Sequence, residues 1–154
     1  MDDFKISPIR NGTAIDHITS GQAINVLKIL RVNENTINST VSVAMHVKSM
    51  KTGSGWKDVI KIEDRELDRR TIDKIGLIAP DATISIIRDY AVTEKHRARV
   101  EDHICGIVRC SNPNCVSNKG EPVVPEFDVI SREPLVLRCC YCDRKLEEIT
   151  ENLL

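Results

Sequence analysis

The stretch Arg138-Cys139-Cys140-Tyr141-Cys142, RCCYC, packs three cysteines into four positions of a 154-residue chain that has six in all. A second group lies upstream, Cys110-Ser111-Asn112-Pro113-Asn114-Cys115, and Cys105 precedes it. Four readings compete: a disulfide, a nucleophile, a metal site and plain core packing. The pairs Cys110-x4-Cys115 and Cys139-x2-Cys142, with 23 residues between them, have the spacing of a structural zinc site. Asn112, Pro113 and Asn114 are turn formers, whose backbone N–H groups can bond thiolates. No base marks a catalytic thiol. Cys140 neighbours Cys139 and points away from it. Cys105 lies on the apolar alternation of ICGIV and reads as a buried core thiol.

The texture around these cysteines fixes the second half of the chain. Short β-like runs, ICGIVRC, EPVVPEFDVI, PLVLRC and RKLEEIT, alternate with turns rich in Pro, Gly and Asn. About 50 residues with four short strands cannot rely on hydrophobic burial alone. A closed four-cysteine site, with Cys110, Cys115, Cys139 and Cys142 as ligands, supplies the missing folding free energy. It leaves no open position for catalysis.

The first half reads as alternating strands and helices. FKISPIR suggests an edge strand, ended by the turn signal Asn11-Gly12. TAIDHI is a strand. Thr19 and Gln22 fit a capping box for a helix carrying Ala23, Ile24, Val26, Leu27 and Leu30. NENTINST is a loop and KSMKTGSG a turn. VSVAMHV alternates, with Val41, Val43, Met45 and Val47 expected on one face. KDVIKIE is a strand with Lys57, Val59 and Lys61 sharing a face. Asp68 caps a helix with Ile72, Ile75 and Ile78 that stops before Pro80. ATISIIRDYAV is the last strand, bent near Asp89. The order β-α-β-β-α-β is the ferredoxin-like pattern, an α+β class. TEKHRARVEDH, residues 93–103, is charged and reads as a connection. The expected domains are 1–97 and 98–154.

Charge separates the halves. Residues 1–99 hold 16 Lys/Arg against 13 Asp/Glu, and residues 100–154 hold 6 against 10. A mildly basic first domain suits a small anion; an acidic second domain argues against a nucleic-acid-binding zinc ribbon. The five aromatic residues are too few for base-stacking platforms. There is no P-loop and no G-x-G-x-x-G. The start MDDFKISPIR lacks the features of a signal peptide, and no apolar run reaches the ~20 residues of a membrane span. A cytoplasmic location is therefore expected. Asp16 and His17 are adjacent, which in a regular strand turns them to opposite faces and excludes a dyad. At a strand end both could flank one ligand. Lys57, Lys61, Tyr90 and Lys95 could complete an anion pocket.

NGTAIDHI, KDVIKIE, LIAPDATISIIRDY and CSNPNC…CCYC together resemble, in order, the regulatory chain family of aspartate carbamoyltransferase. The resemblance implies a non-catalytic subunit that regulates pyrimidine biosynthesis, with a nucleotide-binding allosteric domain and a zinc domain. The first domain would bind CTP and ATP. Its pocket would use Ile9, with Asp16 and Lys61 near the ribose and His17 and Lys95 at the phosphates. Val59, Ile87, Tyr90 and Val92 would line the base, and Ser85 stands where enteric members carry Asn. Another departure is Ser7-Pro8, where those members carry Glu. Which nucleotide inhibits and which activates stays open. The resemblance gives Cys110, Cys115, Cys139 and Cys142 as ligands of one structural Zn2+, and Asn112 and Asn114 as positions facing the catalytic chain. It further implies a regulatory dimer within a dodecamer of six catalytic and six regulatory chains, with neither nucleic acid nor membrane as a partner.

Overall fold

The computed structural model describes residues 8–32, 39–50 and 52–154. The chain divides into two units, Met1–Arg99 and Val100–Leu154.

The first unit is an antiparallel sheet with two helices. Its elements are β1 (Gly12–Thr19), α1 (Ala23–Ile29), β2 (Val41–Lys48), β3 (Trp56–Glu63), α2 (Arg69–Ile78), β4 (Thr83–Arg88) and β5 (Ala91–Arg97). The strand order β2-β3-β1-β4-β5 is the ferredoxin-like arrangement with one strand added at its edge. Ile15, Ile18, Ile60, Ile62, Ile84 and Ile86 turn to one side and, with Val26, Ile72 and Ile75 of the helices, make the core. The other side carries the polar residues of the same strands, as period-2 alternation requires.

Four expectations need correction. The bent last strand is two strands: Asp89 and Tyr90 take left-handed φ values of 52° and 66° and reverse the chain into a hairpin. Residues 91–97 are thus an edge strand, not part of a connection. The strand is exposed almost throughout, so its polar sequence mimics a linker. The α1 capping box is absent. Gln22 makes no side-chain cap, and the buried Asp58 of β3 accepts from the N–H groups of Gly21 (2.8 Å) and Ala23 (3.0 Å) instead. The apolar face of β2 is broken by a bulge between Ala44 and Val47: Val41 and Val43 pair with Ile62 and Ile60, whereas Val47 pairs with Lys57 on the opposite face. The N-terminal edge strand falls largely outside the described residues, as does most of NENTINST. Residues 8–10 form no strand, and Asn11-Gly12 leads directly into β1.

The α2 expectation stands. Asp68 Oδ1 accepts from the Thr71 N–H (2.8 Å), Ile72 and Ile75 are buried, and the helix ends at Ile78.

The second unit is a four-stranded antiparallel meander, β6 (His103–Cys105), β7 (Glu126–Arg132), β8 (Leu135–Cys139) and β9 (Lys145–Leu146). Phe127, Leu137, Leu146 and Val108 are its fully buried large side chains. Cys105 corrects another expectation. It is exposed, because in the three-residue β6 only Ile104 turns inward.

Candidate functional site

The four sulfurs of Cys110, Cys115, Cys139 and Cys142 lie within 4.8 Å of one another. Cys110 and Cys142 are 3.6 Å apart, as are Cys115 and Cys139. A disulfide needs about 2.05 Å. Metal–sulfur bonds of about 2.3 Å in a tetrahedron put the sulfurs about 3.8 Å apart, so the cluster has the size of a closed four-thiolate site. Local chemistry builds each half. The Asn112 N–H donates to Cys110 Sγ (3.4 Å), and Asn112 Oδ1 accepts from the Asn114 N–H (3.0 Å), an Asx turn that curls the loop. Asn118, which sequence reasoning passed over, fastens that turn by donating to the carbonyls of Cys110 (2.8 Å) and Asn112 (2.7 Å).

Electrostatics points the same way. Burial pushes the Cys110 thiol up to about 12 and raises that of Cys139. Burial also opposes ionisation of Cys142, but the Arg144 backbone N–H and neighbouring donors bring it down to about 7. One thiolate forms readily; four so close together need a cation between them. The donor set and spacing fit a soft or borderline divalent metal. Cys140 stays outside the cluster, exposed, with its N–H on the Glu126 carbonyl.

In the first unit, strand register gathers most of the other sequence candidates on the sheet face away from the core. Lys61 pairs with Ala14, Ala14 with Ser85, and Ser85 with Lys95, so one row crosses four strands. The next row is Gly12, Ile87 and Val92. On the other side of the lysine row lie Asp16 and Thr83, with Val59 two residues along β3 from Lys61. Val59 is therefore separated from Ile87 and Val92 by the lysines. Tyr90 sits in the β4–β5 turn, 66% exposed, with its N–H on the Arg10 carbonyl (2.9 Å). Ile9, close by in sequence to Arg10, is buried.

Asp16 and His17 do not alternate. A bulge between Ile15 and Ile18 puts His17 at φ 56°, with Nδ1 3.4 Å from Thr83 Oγ1, so both residues border the outer face. Asp16 Oδ1 takes the Lys57 ammonium at 2.8 Å and the His17 N–H at 2.7 Å. Burial opposes its ionisation, but those contacts prevail and hold its carboxyl below 3.8. Lys61 and Lys95 make no ion pair among the described residues.

Residues 4–99 match the family model described as the allosteric domain of the aspartate carbamoyltransferase regulatory chain, and residues 102–151 match that family's metal binding domain. Similar curated proteins are the aspartate carbamoyltransferase regulatory chain of Methanothrix thermoacetophila, 54% identical over 99% of this chain and 97% of its own. That of Thermoplasma volcanium is 52% identical over 94% and 93%, and that of Pyrococcus abyssi 49% over 96% and 95%. Two consecutive domain models and near-complete coverage at about half identity have one reading: the chain belongs to the aspartate carbamoyltransferase regulatory chain family.

Proposed function

We propose that the chain binds nucleoside triphosphates, CTP and ATP, on the outer face of its first sheet. It transmits their effect to the catalytic chain of aspartate carbamoyltransferase through a second domain held by one structural Zn2+. The family is that of a regulatory subunit, and the chain is non-catalytic. The observation that carries the nucleotide reading is the lysine row. Lys61 and Lys95 stand three strand spacings apart, about 14 Å, with small Ala14 and Ser85 between them. Such a floor suits an elongated anion rather than a bare phosphate. Lys57, Lys61, Lys95 and Arg97 outnumber Asp16 and Glu63 there, and Ile87, Val92 and Tyr90 offer apolar surface at one end.

Regulation then requires only that the nucleotide bind with different affinity in two quaternary states, a coupling of about 1–3 kcal/mol. The zinc domain is the contact surface for the catalytic chain, with Asn112 and Asn114 at its edge. The assembly is the dodecamer of six catalytic and six regulatory chains, built from regulatory dimers in the cytoplasm. Domain limits near residues 97–98 serve that division of labour.

Calorimetric titration of CTP, then ATP, into the metal-loaded chain tests the proposal. Saturable binding that weakens at least tenfold in Lys61→Ala and Lys95→Ala is expected. Unchanged affinity in both variants would remove the lysine row from the site. Co-purification with the catalytic chain should survive both substitutions and be lost in Cys115→Ala.

A further inference from the structure

A second cluster of metal-binding groups lies on the exposed face of the β6–β7–β8 sheet, apart from the four cysteines. His103 comes from β6, Asp128 from β7 and Cys140 from the turn after β8, and their ligand atoms all lie within 4.8 Å of one another. His103 Nδ1 is 2.9 Å from Asp128 Oδ1, and Cys140 Sγ is 3.6 Å from Asp128 Oδ2. In a tetrahedral zinc site with ordinary bond lengths, nitrogen and oxygen ligands lie about 3.4 Å apart and sulfur and oxygen ligands about 3.6 Å. The two contacts run to different oxygens of Asp128, and one ligand atom from each of the three residues falls within 4.8 Å of the others, a cluster of the right size for one small cation.

The far side of the imidazole is held as a metal-ligating histidine usually is. His103 Nε2 is 2.8 Å from Glu126 Oε1, and the Tyr141 hydroxyl donates to Glu126 Oε2 (2.9 Å). A carboxylate behind the ring fixes its orientation and leaves Nδ1 as the ligand nitrogen. Two carboxylates flank one imidazole, and Arg138 is paired with Asp128 across the strands.

We propose that His103, Asp128 and Cys140 form a second, solvent-open site for a zinc-class divalent cation, with Glu126 as the positioning carboxylate. Nitrogen, oxygen and sulfur donors together select a borderline metal over Mg2+ or Ca2+. Three protein ligands leave a coordination position for water or for a group from another molecule, unlike the closed four-cysteine cluster. The proposal gives Cys140 a role that the closed site denies it, and it does not depend on the nucleotide reading.

The test titrates Zn2+ into the full-length chain already carrying one equivalent in its four-cysteine site. A second equivalent is expected, lost in His103→Asn and in Cys140→Ser and bound about tenfold more weakly in Glu126→Gln. With Co2+ as the probe, the second equivalent should add a thiolate-to-metal absorption band that Cys140→Ser removes. Retention of the first equivalent reports that each variant is folded. Should Cys140→Ser lose it, His103→Asn decides the matter. No second equivalent in the wild-type chain, or one that persists in His103→Asn, would overturn the proposal and leave His103 as an imidazolium clamped between two carboxylates.

Discussion

Asp58 shows how much a single residue can organise. It is fully buried, yet its carboxylate is satisfied by three backbone donors: Gly21 and Ala23 at the start of α1, and the His46 N–H (2.8 Å) in the β2 bulge. One side chain thus caps a helix and stabilises a bulge on the neighbouring strand. Asn at this position keeps one acceptor oxygen and brings an N–H2 that cannot accept. At least one buried amide is then orphaned, at about 1–3 kcal/mol. Asp58→Asn should lower the denaturant midpoint of the first unit accordingly, with an unchanged slope. Gly12 is constrained by space instead. A Cβ there would lie 2.1 Å from the Ile62 carbonyl oxygen, which is backbone and cannot step aside cheaply. Gly12→Ala should cost at least the usual 1–3 kcal/mol of an overpacked site, read from the same unfolding curves. A Gly12→Ala chain as stable as wild type would mean that β1 and β3 can separate locally without penalty.

Elements were legible where their signals are local. The Asp68 cap, the Ile72–Ile75–Ile78 stripe and the stop before Pro80 lie within one short window, and α2 appears as read. The α1 cap comes from a residue 35 positions away, so no window contains it. The β4–β5 hairpin has no Gly or Asn at its turn, and Asp89 and Tyr90 adopt left-handed conformations that the sheet imposes. The bulge at Asp16–His17 is equally silent in sequence, which is why period-2 reasoning put them on opposite faces. The cysteine pairs were legible because each pair sits in one turn. The local cap also carries a pH dependence. Hydrogen bonds from Thr71 hold the Asp68 carboxyl below its ordinary 3.8. A group with a depressed folded-state pKa stabilises fully above its unfolded value and loses that contribution as pH falls through the folded one. Asp68→Ala should therefore cost about 0.5–1 kcal/mol near neutral pH, at the low end for an exposed cap. The difference should shrink as pH falls below 3.8 and disappear once pH has passed through the lowered folded-state value. The 222 nm signal suits the measurement, since α1 and α2 are the α-helices among the described residues. A difference that persists in acid would assign the effect to helix propensity rather than to the carboxylate.

At the scale of the whole molecule, the two units are held by different physics. The first buries a six-isoleucine sheet face against two helices, enough for a self-sufficient core. The second has 55 residues, in the range where hydrophobic burial alone is marginal. Its four clustered thiols stand at the junction of its turns and strands, with Cys110, Cys115 and Cys139 among its most buried residues. Structural zinc binding is worth about 10–16 kcal/mol near neutral pH, comparable to the entire stability of an ordinary domain. Removing the metal should consequently unfold one unit and spare the other. Chelation followed by amide proton–nitrogen spectra should collapse the dispersion of residues 103–146 while those of 12–97 keep their positions. Because the ligands must be deprotonated, lowering the pH lets protons compete for the sulfurs, so the same selective loss should appear on acidification before the first unit unfolds. Cys115→Ser should reproduce the chelated spectrum at neutral pH, and Cys105→Ser, an exposed thiol outside the cluster, should leave the spectrum and the tightly held metal unchanged. If chelation left both units dispersed, the second would be shown to stand on its own core, and the cysteine cluster would serve something other than its fold.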